Sequence, residues 1–367
     1  MDFERDFGHT PVMNTAQRLP ASLTPLDVAL AALLRDLEPV AARKDAPVDA
    51  PPSAVEVPEL RAWPPHDIAA VDGWALRASD LVGASSFTPV PLMKQPAWVE
   101  AGEPIPDGCD CVVDKDTMDF TAPIAQALAE AIPGQGVRRK GGETFDTGRI
   151  ADAWRTGSRL RGGLRLRVVN IPGGAVTAKL VAGSLREAGI EVMFAEAAAR
   201  DAASVAALLD GRGCDLIIAV GGSGVGRTDA TVIALAGCGE VVAHGLALQP
   251  GRTAAVGRIG RTPVVALPGA PDLALAVWWA LVLPLLDRLS GRQTRPTVTL
   301  PLARKIASSV GLAEVVLLQQ KNDSWMPLAT GDLALAAVAR ADAWLLVPGS
   351  SEGYAAGTQV SAYMLRQ

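Results

Sequence analysis

Residues 221–228 read GGSGVGRT. Gly221, Gly226 and Thr228 keep the spacing of a nucleotide-hydrolysing phosphate loop, which needs Gly, four free positions, Gly, Lys and then Ser or Thr. Arg227 stands where that loop needs lysine. A planar guanidinium is no simple substitute for a compact ammonium on a flexible stem. No strand-end Asp suited to magnesium follows either. A dinucleotide fingerprint fails as well, because it needs glycine where Arg227 or Asp229 stands. What remains is more general chemistry. A glycine turn after an apolar strand lets backbone N–H groups approach an anion, and the next helix adds its positive end. Gly221, Gly222, Ser223 and Gly226 are therefore candidate ligand contacts. A turn that merely reverses the chain is the competing reading.

Two further loops combine Pro and Gly at strand ends, QPGRT (249–253) and LPGAP (267–271). They add Pro250, Gly251, Arg252, Pro268, Gly269 and Pro271 to the candidate contacts. Arg138, in the basic run VRRK (137–140), offers positive charge to a phosphate or oxyanion, or forms a solvated basic turn. Asp72 and Asp229 are the candidate catalytic carboxylates. The competing readings are a turn Asp bonding its own backbone at Asp72, and a residue complementing a helix N-terminus at Asp229.

These loops need a scaffold that gathers strand ends, and the pattern from about residue 165 supplies one. LRLRVVNI, IEVMFAEA and DLIIAV read as strands alternating with the helical runs AVTAKLVAGSLREAG and DAASVAALLDG. Asp201 is placed to cap the second helix. Alternation of this kind predicts a doubly wound parallel α/β sheet, whose ligands bind beyond the carboxyl ends of the strands. Residues 22–43 predict an amphipathic helix capped by Ser22 or Thr24, with Pro25 in its first turn. The short runs of residues 71–144 predict a small β-rich lobe. Those after 293 predict a small C-terminal β-barrel. The expected division is 1–70 with 145–164 as an extended, partly helical linker domain, then 71–144, 165–292 and 293–367.

Composition narrows the classes. At 367 residues the chain is too long for one typical domain, and its net charge of −5 gives no nucleic-acid surface. Four scattered cysteines are too few for a disulfide framework in a chain of this size. CDC at 109–111 has no partner pair at zinc spacing. The opening MDFERDFGHT lacks an apolar signal core, so the cytoplasm is the expected compartment. The longest apolar run, Leu273–Leu286, reads as a buried helix rather than a membrane span.

Six segments in chain order carry a family resemblance: VDGWALRASD (71–80), AGEPIPDGCDCVV (101–113), VRRKGGE (137–143), GGSGVGRTD (221–229), LQPGRT and LPGAP. Together the chain resembles the molybdopterin molybdotransferases, the MoeA and gephyrin E-domain family. The resemblance implies a four-domain chain with a doubly wound, MogA-like α/β domain, assembled as an L-shaped homodimer. It implies a pterin, molybdopterin or its adenylylated form, with its phosphate end at the glycine loop. It further implies insertion of molybdate with release of the adenylate, magnesium assistance, and Glu143 beside Asp72 as a metal carboxylate. A molybdoenzyme or another cofactor-biosynthesis protein is the implied protein partner.

The departures from the family pattern are mostly polar. Ala101 replaces a Thr, Thr144 an Asp, Gly224 a Ser, Gln249 and Arg252 two lysines, and Ala270 an Asn. The acidic segment expected after the first α/β strand is missing. The expected function is molybdate insertion in molybdenum cofactor biosynthesis. The alternative is a non-catalytic cofactor-binding or carrier protein.

Overall fold

The computed structural model describes residues 17, 19–20, 22–41, 64, 66–100, 102–141, 147–157, 160, 163–292 and 295–366. At its centre lies a six-stranded sheet of β1 (Arg165–Asn170), β2 (Glu191–Glu196), β3 (Leu216–Val220), β4 (Glu240–His244), β5 (Ala255–Ile259) and β6 (Thr262–Leu267), in spatial order β2-β1-β3-β6-β5-β4. The first four in that order pair in parallel; β5 and β4 join antiparallel. The antiparallel edge follows from chain length. Only Gly260 and Arg261 separate β5 from β6, room for a tight turn but not for a crossover helix, and Gly260 supplies the positive φ of 58°.

Every residue of β3 is buried, as a strand covered on both faces requires. Alternate side chains feed two cores. Leu166, Val168, Ile218, Val220, Val265 and Leu267 enter one, and Val169, Ile217, Ala219, Val264 and Ala266 the other. The helices are α1 (Ala175–Glu187), α2 (Ala202–Ala206), α3 (Thr231–Cys238) and a long apolar one, α4 (Pro271–Ser290). Asp201 caps α2 as expected, accepting from Ser204 N–H at 2.8 Å.

α4 extends the apolar run Leu273–Leu286 by two residues at its start and four at its end. Its 20 residues have a mean hydropathy of 1.6, enough in length and composition to cross a membrane, but 72% of its most apolar window is buried inside the fold. It is a core helix. Its Trp278 is fully buried and packs against Trp154 with ring centroids 5.7 Å apart.

The small lobe holds a three-stranded antiparallel sheet with Gly73–Leu76 between Ala97–Val99 and Cys111–Val113. A Cβ on Gly73 would lie 2.2 Å from the Val113 carbonyl oxygen, so only glycine lets these strands close. Trp74 faces Trp98 across the sheet in a T-shaped pair at 5.1 Å. The C-terminal sheet has a wider membership than the sequence suggested. It recruits Leu246–Gln249 and Thr24–Pro25, and its surroundings include a helix, Leu335–Arg340. The N-terminal helix is shorter than expected, Leu26–Leu34, with Pro25 in the cap position and no side-chain cap from Ser22 or Thr24. It stops just before Asp36, which takes a left-handed φ of 58°.

Candidate active site at the glycine loop

The carboxyl ends of β1, β3 and β6 line up, with Asn170 opposite Val220 and Val220 opposite Leu267. Ala255, where β5 begins, lies opposite Ala266 at the same edge. The loops that follow or precede these ends meet there. A Cβ on Gly269 would sit 3.5 Å from Gly221 Cα and 3.6 Å from Gly174 Cα, so LPGAP, GGSG and the turn IPGG (171–174) are in contact. Thr177 Oγ1 donates to the Gly269 carbonyl at 2.6 Å and ties α1 to LPGAP. Gly251, at φ 108°, packs against Val277 and Leu273 of α4. Gly269, with Pro268 and Pro271 on either side of it in LPGAP, therefore belongs to the same rim as Gly221 and Gly222, while Gly251, which follows the cis Gln249–Pro250 bond, lies against α4.

Gly221 and Gly222 take φ values of 96° and 65°, which side chains rarely tolerate. They turn the chain from β3 so that Thr231 N–H and Oγ1 reach back to the carbonyls of Gly222 and Gly221 at 3.0 and 2.8 Å. Gln17 completes the turn from a distance. Its Nε2 donates to the Gly222 and Gly224 carbonyls, and its Oε1 accepts from Val232 and Ile233 N–H, two of the first amides of α3.

The next three amides meet carboxylates. Val225 N–H donates to Asp72 Oδ2 at 3.0 Å, Gly226 N–H to Asp229 Oδ2 at 3.1 Å, and Arg227 N–H to Glu100 Oε1 at 2.6 Å. Thr228 Oγ1 donates to the other Glu100 oxygen at 2.7 Å. Asp72 and Glu100 are brought side by side by the lobe sheet, in which Gly73 pairs with Val99. Each carboxylate leaves the same end of neighbouring antiparallel strands. Arg200, just after β2, reaches Asp229 Oδ1 at 2.8 Å, Thr228 Oγ1 at 3.0 Å and the Pro172 carbonyl at 2.8 Å. His244 Nε2 lies 2.9 Å from the Ser223 carbonyl oxygen. The Ser223 hydroxyl is buried without a hydrogen-bond partner.

Of the carboxylates anticipated from sequence, Asp72 and Asp229 thus meet at the loop. Arg138 stands elsewhere on the rim, pairing with Asp272 at the start of α4 at 2.6 Å, both side chains being largely buried. Arg252 lies on the exposed side, 3.5 Å from Asp114. Glu143 lies outside the described residues. Among the described residues no group of three or more His, Cys, Asp or Glu is arranged to hold a metal ion. Asp72, Glu100 and Asp229 each accept from a backbone N–H group of the loop instead.

Gly224 stands where two of these carboxylates crowd together. A Cβ there would lie 2.4 Å from Asp229 Oδ2 and 2.8 Å from Asp72 Oδ2. Gly224→Ser should destabilise the chain by about 1–3 kcal/mol through overpacking. The loss should shrink in an Asp72→Ala background. Denaturant melts of the single and double variants check this, and additive losses would separate Gly224 from Asp72.

Burial, then the neighbouring Asp72 charge, pushes the Asp229 carboxyl up to about 6, against the pull of Arg200. A pKa raised in the folded state gives stability that is complete below the unfolded value of 3.8 and lost as pH rises through about 6. Asp229→Asn does not ionise. Its stability relative to wild type should rise across that window by up to about 3 kcal/mol. Melts of both proteins across the same pH range measure the difference, and parallel curves would contradict it.

Residues 24–161 match the family model described as the MoeA N-terminal region (domain I and II), and residues 158–288 match that of a probable molybdopterin binding domain. The chain belongs to the MoeA family. It is 28% identical to molybdopterin molybdenumtransferase 2 of Mycobacterium tuberculosis, over 82% of this chain and 89% of that protein. It is 32% identical to a putative molybdopterin biosynthesis protein of Methanocaldococcus jannaschii, over 41% of this chain and 37% of that one. Among solved structures, the molybdopterin biosynthesis MoeA protein of Pyrococcus horikoshii shares the fold over 94% of this chain and 100% of its own, with a TM-score of 0.50 and 23% identity.

Proposed function

We propose that this protein acts in molybdenum cofactor biosynthesis, binding molybdopterin or its adenylylated form at the carboxyl edge of the α/β sheet and inserting molybdate into it. The observation that carries the reading is the meeting of the glycine loop with Asp72 and Asp229 at strand ends shared with LPGAP and QPGRT. On this reading the rim loops hold the pterin, and the loop amides hold its phosphate end. Asp229, titrating near neutrality, takes and returns a proton beside that phosphate. Arg200 holds the Asp229 carboxylate in place. Exclusion of water falls to the lobe that carries Asp72 and Glu100. The chemistry belongs to the cytoplasm, where a molybdoenzyme or another biosynthetic protein takes the product.

The test is mass spectrometry of small molecules released from protein purified from a pterin-producing host. A molybdopterin-derived species at near-stoichiometric yield is expected, and its absence would count against the reading. The proposal includes a homodimer, as the family resemblance implies. Light scattering at micromolar concentration should give about twice the 38.0 kDa chain mass, and a monomer would remove that part.

A further inference from the structure

Three consecutive loop amides, those of Val225, Gly226 and Arg227, each donate to a different carboxylate of the same chain. Two of those carboxylates, Asp72 and Glu100, come from the lobe. Glu100 is the more deeply committed. Only 8% of it is exposed, and both its oxygens are engaged, one by Arg227 N–H and one by the Thr228 hydroxyl. Its own N–H donates to Glu103 Oε2 at 2.9 Å, which fixes the backbone behind it. Its carboxyl carbon would stand 2.8 Å from a Cβ on Gly226, so the loop's glycine is the surface it rests on. A planar anion held by a backbone amide and a hydroxyl is how a loop of this kind holds a phosphate. The loop also carries the Ser223 hydroxyl, 1% exposed for the residue as a whole and without a partner, which leaves a buried donor for something the chain does not supply.

We infer that Glu100 is an internal anion that competes with the ligand for Arg227 N–H and the Thr228 hydroxyl, and so determines how tightly, and for what charge, the loop binds. The inference rests on the proposed reading that a phosphate-bearing ligand uses this loop. Glu100 and a phosphate cannot share these donors. Each must displace the other, and their like charges oppose joint occupancy. The apparent affinity is then the intrinsic affinity multiplied by the fraction of molecules in which Glu100 has withdrawn. One displacement therefore frees both the Arg227 N–H and the Thr228 hydroxyl.

The experiment is calorimetry on the full chain with inorganic phosphate as the probe, comparing wild type, Glu100→Gln and Glu100→Ala. Both variants should bind phosphate about tenfold more tightly, the size of change expected when one charge-assisted contact no longer competes. Glu100→Gln is nearly isosteric and keeps the comparison valid if the alanine variant folds poorly. Hydrogen exchange gives a second readout. The Arg227 amide should exchange faster in Glu100→Ala than in wild type and be protected again by phosphate. Equal or weaker phosphate binding by the variants, or an unchanged Arg227 amide, would overturn the inference. Parallel titrations with molybdopterin separate the two ideas. Equal pterin binding by all three proteins would sink the role of Glu100 and leave the proposed function standing. No pterin binding by any of them, with phosphate binding still enhanced in the variants, would remove the ligand assignment and keep Glu100 as the competing anion.

Discussion

Gly226→Val should weaken molybdopterin binding about a hundredfold while the circular dichroism spectrum stays native. A Cβ at this position would meet the Glu100 carboxyl carbon at 2.8 Å and Oε2 at 2.9 Å. Gly226 has no left-handed φ, so valine imposes no backbone strain there. The effect is one of occupied space. The two valine methyls fill the volume above the loop amides, which either Glu100 or a ligand phosphate must use. A hundredfold loss corresponds to about 2.8 kcal/mol, since each 1.4 kcal/mol is a factor of ten in affinity. The sign is opposite to that expected for Glu100→Ala, which empties the same space. Calorimetry with molybdopterin measures it. Unchanged affinity with native circular dichroism would remove the loop from the site.

Molybdate insertion should proceed at least about a hundredfold more slowly than with a family member that keeps the polar residues this chain lacks. Molybdate and an adenylylated pterin are both anions, and bringing them together needs positioned donors and cations. Here Arg138 is paired with Asp272, Arg200 with Asp229 and Arg252 with Asp114. Gln249, in place of a family lysine, has its Nε2 directed to the Gly331 carbonyl at 3.3 Å. Ala101 and Gly224 bring no hydroxyl. Loss of one preorganised donor costs about a hundredfold in rate. The assay is reconstitution of an apo-molybdoenzyme with purified protein, adenylylated pterin and micromolar molybdate. A rate equal to that of the relative would mean that other groups replace the missing ones.

The α/β strands were legible because apolar runs bounded by turns report burial on both sheet faces, and DLIIAV did so without a polar interruption. Asp229 was legible because it sits three residues from the amide it accepts. Asp72 was legible only through its motif, since its loop partner lies 153 positions away. Glu100 and Gln17 reach the loop across 127 and as many as 207 positions. A single Glu after a short strand, or a Gln in a polar stretch, carries no local pattern that distinguishes it from a solvated side chain. The pairing of Arg138 with Asp272 was hidden for the same reason. Gly224 read as a lost serine, whereas the structure gives it a positive role, as the gap that admits two carboxylates. The shared C-terminal sheet was illegible because Leu246–Gln249 looks like any α/β strand, and its partner in the sheet comes more than sixty residues later.

That sharing sets an order of events as the chain is synthesised. Thr24–Pro25 pairs with Leu246–Ala247, and Leu248–Gln249 pairs with Ala313–Glu314. The first of these strands leaves the ribosome long before the last, so the N-terminal segment stays unanchored until residue 247 has emerged. The α/β unit likewise keeps an open edge at Leu248 until residue 313 follows. A chain halted between those points presents apolar strand to whatever is near, the condition that invites aggregation or a chaperone. The sheet that joins these three segments is closed only after residue 314 has emerged.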